Sequence, residues 1–166
     1  MKNMKQYNDE GSKCFAATCA VTLRDGKKVE AAELRKGMEV LTLRGPKKVE
    51  AIIMTSVKDK EMRRIGDLLI TPWHPIHVDN RWIYPSEIAE EPILHSGTIC
   101  SILLEDSADD MAHGVYVEGF LVVTLGHGLT HSSSEDDRRP HVSFGDRKKV
   151  LESLQDLLES NGVFQK

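Results

Sequence analysis

The chain has no long apolar run, no excess of basic charge and too few cysteines for a disulfide framework, and each absence removes a class of function. Without a stretch of roughly 20 apolar residues there is nothing to cross a bilayer as a helix. Residues 1–13 are polar and charged where a secretory signal would be apolar. A formal net charge of −4, with lysines and arginines scattered among acids, leaves no footprint for nucleic acid or an anionic membrane. Three cysteines cannot all pair, so at least one thiol is free. A free thiol fits a reducing compartment, and the expected location is cytoplasmic.

What is present suffices for one ordinary domain: 166 residues at 40% apolar content can bury a core without disulfides or metal. Residues 1–13 lack apolar periodicity and read as a flexible leader, which makes Cys14 a junction with the domain over 14–166. From Phe15 to Thr55 the pattern is strand, turn, strand. Ala20 to Leu23 leads to a turn at Asp25-Gly26, then come strands at 27–30, 41–43 and 49–54. Residues 31–36, followed by Gly37, look like one short helical turn. Leu68 to Thr71 is a further apolar run stopped by Pro72, and Pro75 holds His74 in an extended or turn conformation at a strand end. Residues 99–104 and 114–124 are β-rich, with a turn at Glu118-Gly119. The fold class is all-β. The exceptions lie near the end. Residues 130–139 are a polar loop, and 146–160 carry Val150, Leu151, Leu154, Leu157 and Leu158 at helical spacing between an Asp146 N-cap and Asn161-Gly162. That amphipathic helix packs on the sheet or on a protein partner.

A cysteine at a chain junction has a specific chemistry open to it. Its thiolate can attack the preceding carbonyl, here that of Lys13, and turn the peptide bond into a thioester that a later nucleophile breaks. The shift needs a positioned thiol, a proton for the departing amide nitrogen and hydrogen bonds to the tetrahedral oxyanion. About 57 residues after Cys14 stands Thr71-Pro72-Trp73-His74, and a histidine titrates in the range that lends and takes protons near neutrality.

The segment Cys14-Phe15-Ala16-Ala17-Thr18-Cys19-Ala20-Val21-Thr22-Leu23-Arg24-Asp25-Gly26 resembles the opening of a Hint (Hedgehog/intein) domain, in which a Cys-led strand runs to a DG turn. Thr71 to His74 is similar to the TxxH motif of that superfamily. The Cys-Phe opening, the run Thr71-Pro72-Trp73-His74-Pro75-Ile76 and the run Val123-Thr124-Leu125-Gly126-His127-Gly128 are most similar to the Vint branch, found beside von Willebrand type A domains. The resemblance covers roughly residues 14–159. It implies a Hint-type horseshoe of strands and an autoprocessing activity without cofactor. In it Cys14 performs an N-to-S acyl shift at the Lys13–Cys14 bond, His74 is the general acid and Thr71 places it. His113, which looks like the histidine of the penultimate intein block, and His127, set between two glycines, assist the later steps. The substrate partner is the upstream segment itself, and the acyl acceptor stays open.

Two departures narrow the expected reaction. Inteins generally end in His-Asn, and here the last strand runs on to Gly126-His127-Gly128; where the Hedgehog branch has an Asp that activates a sterol, the aligned residue is Arg44. The expectation is N-terminal cleavage or acyl transfer without full splicing. Asn161-Gly162 reads as ordinary helix capping. The alternative is an inactive Hint fold kept as a protein-interaction module. Cys19 and Cys100 read as core thiols or modifiers of Cys14, and His77, His95, His131 and His141 as surface or structural. His74 and His77 have a chelating spacing but no closed ligand set around them, so no metal is assigned.

Overall fold

A computed structural model describes residues 13–107, 113–125 and 163–165. Short strands and tight turns alternate from the start: β1 (Phe15–Ala16), β2 (Ala20–Thr22) and β3 (Lys28–Glu30). β2 and β3 join through the expected Asp25-Gly26 turn. Gly26 there takes a left-handed backbone at φ 87°, and the Asp25 carboxylate accepts the Lys27 N–H at 3.0 Å. The helical turn expected over 31–36 is shorter, a single 3-10 turn at Ala31–Glu33. Leu34 already has extended dihedrals, φ −67° and ψ 146°, and its side chain is fully buried. Burial of the leucine overrides its helical propensity.

After β4 (Glu39–Thr42) comes β5 (Gly45–Ile65), 21 residues long where a strand of five or six is usual. It persists by changing partners. Its first residues pair with β4, Val49 to Met62 with β9 (Ile93–Leu104), and Arg63 to Ile65 with β6 (Leu68–Ile70). Irregularities between Val49 and Ala51 and between Val57 and Lys60 bend it, the second containing Asp59 at φ 51° with its N–H bonded to Ser96 Oγ at 3.0 Å. The sequence pattern marks only 49–54 of this strand, because beyond Val57 its outward positions are charged. β12 (Val163–Gln165) adds in parallel beside Ile52 to Met54.

The second sheet runs β3-β2-β10-β11-β7-β8. Here β7 is Ile76–Val78, β8 Arg81–Ile83, β10 Gly114–Val117 and β11 Phe120–Val123. The β7–β8 hairpin is not among the strands that the sequence pattern predicts. The β10–β11 turn falls at Glu118-Gly119, both with positive φ (50° and 83°), the geometry a two-residue hairpin needs. Glu118 also ties the turn to β2: its N–H donates to Ala20 O at 2.8 Å and its Oε1 accepts the Ala20 N–H at 2.6 Å. Between the sheets Phe15, Ile52, Met62, Ile70, Ile99 and Ile102 meet Val21, Ile76, Val115, Val117 and Val122 in one buried cluster. Each such side chain contributes about 1.5–3 kcal/mol of apolar burial. Residues 1–12, His127, the polar stretch 130–139 and the helix expected over 146–160 lie outside the described residues.

Candidate active site

Two residues of β1 build the site through their register. Phe15 pairs with Ile70 on β6 and with Cys100 on β9, both antiparallel. The next pair along therefore sets Cys14 between Thr71 and Ser101, which lie 57 and 87 residues away in the chain. A slip by one residue would turn Cys14 to the other face of the sheet. Phe15 resists that slip, being 1% exposed and packed edge-on against the His74 ring at 6.3 Å.

Thr71 grips the Cys14 backbone on both sides. The Cys14 N–H donates to Thr71 Oγ1 at 3.0 Å, while Thr71 Oγ1 and N–H both donate to Cys14 O, at 3.0 and 2.9 Å. Thr71 O in turn accepts the His74 N–H at 3.2 Å. Thr71 to His74 is thus one β-turn with Pro72 in its second position, where a fixed φ is favoured. Trp73 stands at the tip against Tyr84, ring centroids 5.2 Å apart. Proline keeps the turn, and the turn aims His74 inward.

His74 is 1% exposed, and its Nε2 lies 2.7 Å from Val123 O. A carbonyl oxygen only accepts, so Nε2 carries the hydrogen. Burial lowers its pKa to about 3; the Val123 hydrogen bond opposes the shift, the nearby Lys13 charge adds to it, and hydrogen bonding with the Lys13 backbone opposes it again. This corrects the expectation of a histidine poised near neutrality: as placed the ring is neutral, and it must collect a proton before it can give one.

The Lys13–Cys14 peptide lies at the edge of the core, Lys13 buried and Cys14 half-buried. Lys13, taken from the sequence as the end of the leader, is 9% exposed, and its carbonyl oxygen accepts a hydrogen bond from the Ser101 hydroxyl. The same hydroxyl lies 3.2 Å from Cys14 Sγ. Sulfur and the oxygen of the adjacent carbonyl therefore share one partner. Sequence reasoning missed Ser101. Its one signal is a hydroxyl within the apolar run from Ile99 to Leu104, where it ends 5% exposed.

His113 is also 1% exposed, but its Nε2 bonds Ser107 O at 2.9 Å, and its backbone oxygen takes both the N–H and the hydroxyl of Thr124, at 2.8 and 2.9 Å. Nothing described joins it to Cys14; it meets the site only through the neighbouring residues Val123 and Thr124. Cys19 and Cys100 are 4% and 0% exposed, and burial raises both thiol pKa values. His77 points to Trp82, centroids 5.1 Å apart. Among the described residues no three His, Cys, Asp or Glu side chains converge as a metal site.

Residues 13–166 match the family model Vint, described as a Hint-domain. The chain is a Vint-type Hint domain. Solved structures agree on the fold. The gp41-1 intein superposes at TM-score 0.52 with 12% identity, covering 68% of this Vint domain and 99% of the intein. A DnaB intein from Synechocystis sp. PCC 6803 gives TM-score 0.51 and 16% identity, with 68% and 99% covered. The Ssp DnaB mini-intein variant M86 gives TM-score 0.52 and 12% identity, with 68% and 95% covered. No curated protein matches the chain. The all-β Hint fold expected from the Cys-led opening and the TxxH turn is therefore the fold the Vint domain has. No helix among its described residues is long and apolar enough to cross a membrane.

Proposed function

We propose that this Vint domain is an autoprocessing unit that cleaves or transfers the segment upstream of Cys14 by an N-to-S acyl shift. One observation carries the reading. Lys13 is buried and Cys14 half-buried, and the peptide between them is held at Lys13 O, Cys14 N and Cys14 O, with the Cys14 thiol beside it. An idle junction has no need of such a grip, whereas a reacting one gains from it, since fixed reactants reach effective concentrations of about 10⁵ M or more.

In the reaction Cys14 Sγ adds to the Lys13 carbonyl carbon, the C–N bond breaks, and the acyl group is left as a thioester. One proton leaves sulfur and one arrives at Cys14 N, so the net transfer is between these two atoms. His74 suits the second half. With its Nε2 hydrogen committed to Val123 O, the neutral ring takes up a proton on the other nitrogen and hands it to the amide nitrogen as the bond breaks. Thr71 Oγ1, bonded to that nitrogen, fixes its direction. Without a cyclising His-Asn end, the thioester is resolved by water, a thiol, an amine or another nucleophile, and Arg44 leaves no base for a sterol.

The test is intact-mass spectrometry of the chain behind an upstream reporter, with and without hydroxylamine. The expected product is free reporter ending at Lys13, accelerated by hydroxylamine and absent in Cys14→Ala. An unchanged mass under every nucleophile would reject autoprocessing and leave the fold as a binding module.

A further inference from the structure

Among the described contacts around the scissile bond, the Ser101 hydroxyl meets both the attacking sulfur and the oxygen of the carbonyl it attacks. The hydroxyl donates to Lys13 O, and the same oxygen stands 3.2 Å from Cys14 Sγ. A hydroxyl has one hydrogen to give and two lone pairs to accept with. With the hydrogen already directed at the carbonyl, the contact with sulfur is an S–H donating to Ser101 Oγ. The array reads S–H to O–H to O=C, all in one direction.

We infer that Ser101 is a catalytic residue of the acyl shift, relaying the thiol proton to the scissile carbonyl oxygen. The inference rests on the proposed attack by Cys14. As the sulfur–carbon bond forms, the thiol proton passes to Ser101 Oγ and the serine's own proton passes to Lys13 O. The carbonyl π electrons become the new O–H bond, the intermediate is neutral, and Ser101 is regenerated. Collapse then breaks the C–N bond, re-forms the carbonyl and moves the hydroxyl proton, through His74, to Cys14 N. No oxidant, metal or outside acid enters.

The placement has a structural cause. Ser101 is 5% exposed in the middle of β9, paired with Ile53 on β5, so its hydroxyl does not swing in solvent. The relay has no reorganisation to make at the moment of reaction. Without it, the carbonyl oxygen loses the hydrogen bond that Ser101 gives it as negative charge develops there, a costly loss in a buried site.

The experiment uses the full chain behind an upstream reporter and compares Ser101→Thr with Ser101→Val. These replacements share a shape and differ in the hydroxyl, so any packing cost is common to both; Ser101→Ala is the smaller control. Hydroxylamine-driven release of the reporter is timed by intact mass, with urea unfolding recording the folded fraction. We expect Val and Ala to slow release by about 10²–10³-fold, the usual loss for one oxyanion donor, and Thr to recover most of it. Val and Thr equally slow, or Ala within threefold of the unmodified chain, overturns the relay while leaving the Cys14 reaction standing. No release from the unmodified chain rejects both at once.

Discussion

Two histidines of this domain are buried alike, and only one belongs to the site. His74 and His113 are each 1% exposed, and each sets Nε2 on a backbone carbonyl, Val123 O for the first and Ser107 O for the second. Even their supports match: Thr71 closes the turn of His74, and Thr124 binds the backbone oxygen of His113 through its N–H and hydroxyl. Burial and a carbonyl partner on Nε2 thus do not by themselves mark a histidine of the site. The difference is what else lies beside the ring. His74 stands beside the Lys13 backbone and against Phe15, one residue from Cys14. His113 secures the β10–β11 hairpin, where a Cβ on Gly114 would come within 3.1 Å of Leu121.

The sharpest test of that contrast is replacement of each ring. His74→Ala should slow release of the upstream reporter by about 10²–10⁴-fold, the usual weight of general acid and base assistance. His113→Ala, corrected for folded fraction, should change it by less than about tenfold. Equal losses would break the comparison and give His113 a part in the first step.

The two threonines extend the test to the supports. Thr71→Val keeps the shape and removes both hydroxyl bonds to Cys14, so release should fall by about 10²-fold through misplacement of the scissile bond. Thr124→Val removes one of the two bonds to His113 O and should cost stability of about 0.5–1.5 kcal/mol while leaving the corrected rate unchanged. Urea unfolding and reporter release on the same samples separate the two outcomes.

A third test reads stability against pH. The folded pKa of His74, about 3, lies below the unfolded value near 6.5, so above pH 6.5 both states hold a neutral ring and its contribution is complete. As pH falls below 6.5 the unfolded chain takes up the proton first, and stability is lost at about 1.4 kcal/mol per pH unit down to the folded pKa. Between pH 7 and 5 this amounts to about 2 kcal/mol, and His74→Asn should remove that part of the slope. An unchanged slope in the variant would mean that the ring is not held neutral.

The smallest effect is expected at Asn161. Asn161→Ala should leave processing unchanged, as read from its sequence context beside Gly162. A product ending at Asn161 in the mass spectrum would reveal a C-terminal step, and with it work for His113.

Much of this was legible because some residues act locally. Asp25-Gly26 and Glu118-Gly119 are turns whatever surrounds them, and Thr71-Pro72-Trp73-His74 forms its turn through the proline it contains. The candidate nucleophile Cys14 was singled out by its place between a polar stretch of sequence and an apolar one. The extent of β5 was not legible. Its second half sets Val57, Met62 and Ile65 among charged residues and across an irregularity, too broken a pattern to announce a strand, and it is one because β9 and β6 pair with it. The β7–β8 hairpin was hidden for a similar reason, with three residues in each strand and Asp79 and Asn80 between them at positive φ.

The sequence by itself determined the class and the turns, and it singled out Cys14 as the candidate nucleophile, since these follow from patterns within a few residues. It could not determine that Ser101 meets Lys13 O, because that contact depends on Phe15 pairing with Cys100, far away in the chain. Nor could it determine the charge of His74. A histidine's ordinary pKa belongs to water, and only the folded core, by removing the water, makes the ring neutral where it stands.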